Sequence, residues 1–494
     1  MKNMKTYKSW MMLLGLICIA QSACKKDFLD TPPQGQLTEV LFPQSANDAF
    51  LATNAMYAQL RKWNFQSGGY PILDIMSDEA RKGSNPGDGG RLTLFDEFSF
   101  TATASDIFPW YSATYLAIKS SNVVIEHVPE IDMDASLKSR YIGEAKFLRA
   151  FCYFNLVRAF GDVPKVTTVH SEYNLPRSPR AEIYNEVIIP DLLDAINRLP
   201  EKSNYAMSDL GRASRGAAKS LLAKVYLYQG NFNQAAIYAL EVINSGQYDL
   251  EQNFGDAFSI NGQNGIESIF ELGAIGIENF DNGGNQFANT QGVRGVPNKG
   301  WGFNRPSMQL INAFEPDDVR KDATIIFLGE TLDGVLIQGD VNTPDVTLGP
   351  NGVDTLEIEC YNQKVWTPGS TTIDQWGYNI RYIRFADVLL IASEALNEIG
   401  QSGTALTHLN RVRDRAGVDD ITTTDPMELR NLILRERMLE LALEGNRFYD
   451  LVRTGKAQEQ LGPLGFITGK HELLPIPQSE IDLSGGVLTQ NPGW

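Results

Sequence analysis

The stretch GRASRGAAKSLLAKVYLYQGNFNQAAIYALEVINSGQYDL, residues Gly211–Leu250, restricts the fold more than any other part of the chain. Ala217, Leu221, Leu222, Val225 and Tyr226 recur at helical spacing, so one face of this segment is apolar. Gly230-Asn231 breaks the pattern, and Ala235, Ala236, Ala239, Leu240 and Ile243 begin a second stripe. A turn this short sends the second helix back antiparallel to the first. The small residues let the two backbones approach closely. Such a hairpin cannot bury its outer face alone, so it predicts neighbours of the same kind.

Those neighbours are legible as degenerate copies. The run YIGEAKFLRAFCYFNLVRAFGDVP precedes AEIYNEVIIPDLLDAINRLP, and IRFADVLLIASEALNEIG precedes SGTALTHLNRVRDRAG. Two earlier helices, NDAFLATNAMYAQLRK and YSATYLAIKSSNVVIEHV, supply a fourth pair. Tyr228, Gly230 and Phe232 followed by Ala235-Ala236 form a tetratricopeptide-like pattern. The expected fold class is mainly α: a tetratricopeptide-like scaffold of helical hairpins with long irregular loops and a few short strands. Between the hairpins the composition shifts. Residues Asn261–Gly302 hold ten glycines and little helical period, and Phe327–Asp374 mixes short β-like runs with Gly, Pro and Asp turns. Loops carried on a rigid scaffold are the usual place for recognition.

The first residues read as an export leader. Lys2, Lys5 and Lys8 precede an apolar run of eleven residues, Trp10–Ala20, too short to span a bilayer. Ser22-Ala23 then supplies small side chains before Cys24, the arrangement that marks a lipoprotein cysteine, with plain secretion as the alternative. Gln21 departs from the leucine usual three residues before such a cysteine. Removing the leader takes the formal charge from −17 to −20, a surface that repels phosphate backbones, so nucleic acid is not an expected partner. Cys152 and Cys360 are too few and too far apart to suggest a disulfide framework, and read as free buried thiols. The histidines at 127, 170, 408 and 471 lack metal-ligand spacing.

Catalytic signatures are weak. Glu436, Glu440 and Glu444 stand four residues apart on one helical face, a spacing reminiscent of glycosidase carboxylates. Arg437, Arg447 and Arg453 interleave with them, and nearby guanidinium groups lower a carboxyl pKa where a general acid needs it raised. An ion-pair network is therefore expected and no enzyme, with an exported glycan hydrolase as the competing reading. No Gly-x-Ser-x-Gly elbow or Walker loop occurs. Asp340, Asn342 and Asp345 offer hard oxygen ligands for a structural calcium, against an ordinary polar turn; no other cofactor is expected. The aromatics say more. Trp63, Phe65 and Tyr70 follow the first helix, and Trp301 and Phe303 lie in the glycine-rich stretch. Flat rings of this kind suit the C–H faces of sugars, while neighbouring polar residues such as Asp78, Glu79 and Asp88 bond hydroxyls. Trp110 and Trp376 lead into helices and read as structural.

Several stretches together resemble the SusD/RagB family of nutrient-binding outer-membrane lipoproteins. They are CKKDFLDTPP, GEAKFLRAFCYFNLVRAFGDVP, GRASRGAAKSLLAKVYLY, RFADVLLIASEALNE, LNRVRDRAG, RERMLELALEGNRFYDLVRTG and LLPIPQSEID followed by LTQNPGW. The resemblance runs nearly end to end and in family order. It implies a leader at 1–23, an N-terminal region at 24–230, a loop-rich region with ligand-facing aromatics at 231–375 and a C-terminal helical region at 376–494. It further implies a non-enzymatic protein, lipid-anchored through Cys24 and facing outward. Such a protein binds an oligosaccharide, or in some relatives a peptide, and delivers it to a SusC-like TonB-dependent transporter; an adhesive lipoprotein without ligand is the remaining alternative. By region, the resemblance makes Trp63, Tyr70, Asp78, Arg81, Arg91, Phe280, Trp301 and Phe303 the candidate contacts.

Overall fold

The computed structural model describes residues 42–69, 72–172, 174–276, 283–340, 347–348, 355–368 and 377–494. The segment read as a leader, Cys24, Tyr70, Phe280, Asn342, Asp345 and Trp376 lie outside the described residues.

Helix α1 (Ala46–Arg61) starts at a reciprocal cap: Ser45 Oγ accepts the Asp48 N–H, and the Asp48 carboxylate accepts that of Ser45. Its buried face, Ala49, Ala52, Met56 and Leu60, lies against α3 (Ile107–His127), after a short α2 (Trp63–Gly69). Helix α4 (Ala135–Phe160) is buried on nearly every side from Tyr141 onward, because helices pack on it from both flanks. One flank is α3; the other is α5 (Ile189–Arg198), which continues from a turn of π-helix over Tyr184–Ile188.

The Gly211–Leu250 hairpin is as predicted. Helix α6 (Arg215–Tyr228) ends at Gly230, whose φ of 70° glycine adopts without strain. Asn231 then caps α7 (Phe232–Ile243) by accepting the Gln234 N–H. At Gly216 the Tyr248 ring lies where a side chain would stand, so the small residue is a packing requirement. Helix α7 packs on α8 (Phe385–Glu398), which pairs with α9 (Ser402–Ala416). Helix α10 (Pro426–Glu440) covers α8, and α11 (Arg447–Arg453) follows. The four helix pairs read from sequence are packed pairs in the structure. One hydrophobic core runs through them from Ala49 to Ile476.

The strands form two-stranded ribbons among the described residues. Strand β1 (Ala80–Gly83) pairs with β3 (Phe303–Pro306), β2 (Ser268–Leu272) with β6 (Ile380–Arg384), and β4 (Ile325–Phe327) with β5 (Cys360–Asn362), all antiparallel. Strand β2 corrects the sequence reading in part: it lies inside the glycine-rich stretch, yet every residue of it is buried. The alternation signal fails because both of its faces are covered. Cys152 and Cys360 are both buried, and burial pushes the Cys152 thiol well above its ordinary pKa.

Candidate functional site

Trp63 opens α2, and Trp301 follows Gly300 in the segment leading to β3. Far apart in sequence, their rings meet edge to face, with centroids 6.2 Å apart and planes at 68°. Both are half-buried, so each keeps surface for a ligand. The Trp301 backbone is clamped to the short helix Phe287–Gln291 and its exit. Its N–H donates to Asn289 (2.8 Å), and those of Gly300 and Gly302 donate to Val293 (2.9 Å) and Gly292 (3.0 Å). Gly300 sits so close to Gly292 and the Asn289 carbonyl that no side chain fits there. Phe303, also half-buried, lies against Gly89 and fixes the turn 84–89 beside the tryptophans.

Polar groups cluster next to this clamp. The Ser84 N–H donates to the Gly302 carbonyl (2.6 Å), and Ser84 Oγ donates to Asp88 (3.2 Å). Arg294 pairs with Asp340 (2.9 Å) and lies 3.7 Å from Asp88. Further along, Lys299 stands over the Trp366 ring at 4.4 Å, and the Trp366 indole N–H donates to Asp333 (2.6 Å). Arg294 and Trp366 were missed in the sequence. Trp366 stands just before Thr367-Pro368, the same tryptophan-beside-a-turn signal that singled out Trp301.

Other candidates have different duties. Asp78 is buried and holds Arg447 through both carboxylate oxygens (2.7 Å each), which leaves it no free face for a sugar. Glu79 is fully buried and accepts the Leu443 N–H (3.0 Å). Phe65 is buried against Phe151 in the core. Arg81 bonds Gln309 (2.8 Å) and pairs with Glu357 (3.3 Å), and Arg91 pairs with Asp106. The structure thus spends both guanidinium groups on protein partners. Asp340 already faces Arg294, a cation that competes with calcium for the same carboxylate. Among the described residues, no group of three or more His, Cys, Asp or Glu is arranged to hold a metal.

The glutamate row is an ion-pair network, with different partners from those expected. Glu436 meets Arg320 (2.5 Å) and Arg413 (2.8 Å). Glu440 meets Arg415 (2.6 Å), Arg384 (3.1 Å) and Arg320 (3.3 Å), and Glu444 meets Lys364 (2.7 Å) and Arg384 (2.8 Å). The interleaved arginines turn elsewhere: Arg437 to Asp387 and Asp450, Arg447 to Asp78, Arg453 to Glu394 and Asp450. Burial alone would raise the Glu440 carboxyl, but Arg415, Arg384, Arg320 and Lys364 hold it down at about 2. An acid so strong stays ionised at neutral pH and has no proton to give.

Helical hairpins here carry a partly exposed tryptophan pair, while cationic partners hold the Glu440 and Glu444 carboxyls below their ordinary range, the opposite of what a general acid needs. The chain belongs to the SusD family. The SusD family model matches residues 266–494, and a second, described as starch-binding and associating with the outer membrane, matches residues 27–227. SusD-like protein P2 of Formosa agariphila is 28% identical over 521 residues, 99% of this chain and 100% of that protein. Among solved structures, a laminarin-binding SusD-like protein is 30% identical with a TM-score of 0.77, covering 91% of this chain and 100% of its own. Surface glycan-binding protein A from Bacteroides thetaiotaomicron, solved with laminarihexaose, is 25% identical with a TM-score of 0.75, covering 91% and 100%.

Proposed function

We propose that this protein captures a neutral oligosaccharide at the Trp63–Trp301 face and passes it to a SusC-like TonB-dependent transporter, without chemical turnover. The observation that carries the reading is the pair itself. Two half-buried indoles from distant segments present angled apolar faces beside Ser84, Asp88 and Arg294. Apolar rings cover the C–H faces of a sugar while such polar groups meet its hydroxyls. The laminarin- and laminarihexaose-binding relatives support a glycan as ligand, and the family description supports the outer membrane as location. A lipid on Cys24 would tether the protein there, facing outward.

Titration calorimetry with a panel of neutral oligosaccharides that includes laminarihexaose tests the proposal. Binding without product release is expected, with Trp63→Ala and Trp301→Ala each weakening it at least about tenfold, the effect of losing ~1.4 kcal/mol. Absence of binding across the panel would sink the glycan reading, and product release that follows the protein through repurification would make it a hydrolase. Co-purification from detergent-solubilised outer membrane tests the transporter, and a protein that is always recovered alone would count against it.

A further inference from the structure

A chain of buried polar side chains links the segments that carry the two tryptophans. Asp74, on the short helix Ile72–Ile75 that follows α2, has no exposed surface. One of its oxygens accepts the Gly445 N–H (2.7 Å), and the other accepts Asn304 Nδ2 (3.0 Å) across 230 residues of sequence. Asn304 Nδ2 also donates to Gln291 Oε1 (2.9 Å), and the same oxygen accepts Asn362 Nδ2 (2.8 Å). Asn304, three residues beyond Trp301, is fully buried with φ of 56°, a left-handed conformation that asparagine tolerates better than most residues. Asn304 Oδ1 is buried with no hydrogen-bond partner, a desolvation cost that the fold accepts at this position.

The chain joins the two segments that matter. Trp63 opens α2, which packs on the helix carrying Asp74, and Trp301 and Asn304 stand three residues apart. Gln291 closes the helix whose Asn289 carbonyl holds the Trp301 N–H. We infer that the Asp74–Asn304–Gln291–Asn362 chain is the brace that sets the spacing of Trp63 and Trp301, with Asn304 as the positioning residue of the site. The functional consequence rests on the glycan-binding reading; the geometry does not.

The brace has a titrating end. Burial pushes the Asp74 carboxyl up to about 6. Burial, and then the charge of Asp74, pushes the neighbouring Glu79 well above its ordinary range. Glu444 and Asp78 add negative charge around this pair, and Arg447 opposes it. Asp74 in its ionised form serves both the Asn304 and Gly445 donors. A proton on it removes an acceptor from one of them.

The test reads the tryptophans directly. Protein labelled with 5-fluorotryptophan gives fluorine resonances for Trp63 and Trp301, assigned with Trp63→Phe and Trp301→Phe. Asn304→Gly deletes the amide while keeping a backbone that favours positive φ. Gln291→Ala deletes the next link, and Gln291→Glu keeps an acceptor. Both deletions are expected to move the Trp301 resonance by more than its linewidth and to weaken laminarihexaose binding roughly tenfold, a hydrogen bond's worth. Gln291→Glu is expected to leave the resonance in place. In the intact protein the resonance should shift with an inflection near pH 6. Unmoved Trp63 and Trp301 signals in both deletion variants, with native circular dichroism, would overturn the brace. A signal flat from pH 5 to 8 would remove Asp74 from it. Failure of the unmutated protein to bind laminarihexaose would instead count against the glycan reading, with the fluorine result standing by itself.

Discussion

Glu440 closes α10 with no exposed surface and three guanidinium groups against it. Removing its charge leaves Arg320, Arg384 and Arg415 short of an anion in the interior, so Glu440→Gln should cost about 3–5 kcal/mol of unfolding free energy in urea titration. The pH dependence has a definite sign. The folded value near 2 lies below the ordinary 4.5, so the contribution is present above 4.5 and is lost as pH falls toward 2. Urea midpoints should therefore drop between pH 5 and 2.5, and more steeply in the intact protein than in Glu440→Gln. Glu79 runs the other way. Its folded value is raised, so its contribution is fullest below 4.5 and is lost as pH rises through the raised value. Glu79→Gln keeps an oxygen for the Leu443 N–H and abolishes that loss. Its urea midpoint relative to the intact protein should climb steadily from pH 5 to 9. The glutamate row could be read from sequence as ion pairs because its spacing and the abundance of arginine are local facts. Its partners could not, since Arg320 and Arg384 reach it across 120 and 56 residues.

Among the elements, α6 and α7 were legible because the apolar period, the Gly230 stop and the Asn231 cap all lie within one window of sequence. The cap is testable. Asn231→Ala removes the acceptor for the Gln234 N–H and should cost about 1 kcal/mol in thermal or urea unfolding, with the hairpin retained by circular dichroism. A larger effect is expected at Gly216. A valine there meets the Tyr248 ring and disturbs its hydrogen bond with Ser214 (2.9 Å), so Gly216→Val should cost about 1–3 kcal/mol. Strand β2 was hidden for the opposite reason. Its five residues contain no alternation to detect, and its burial comes from β6 on one edge and helices on its faces, elements distant in sequence.

Across the whole molecule, the C-terminal elements return to the N-terminal ones. Arg447 holds Asp78, the Leu443 and Gly445 N–H groups are accepted by Glu79 and Asp74, and the Leu474 N–H donates to the Ala159 carbonyl. A linear array of hairpins would unfold piecemeal, each unit answering only to its neighbours. Here a core spanning Ala49 to Ile476 and these long-range ties are expected to make unfolding one transition, with coincident midpoints by tryptophan fluorescence and far-ultraviolet circular dichroism. Two separated midpoints would show that the ties do not couple the two ends.

By itself the sequence determined the helical hairpins, their pairing and the aromatic candidates. Periodicity, caps and small residues act over a few turns, and a window of sequence contains all of them. Only the tertiary structure decided that Trp63 meets Trp301, that Asp78 pairs with Arg447, and that Asp74 and Asn304 join. Each of those outcomes is a contact between segments hundreds of residues apart. Packing around a shared core selects such partners, and nothing in the local pattern of either segment encodes the other.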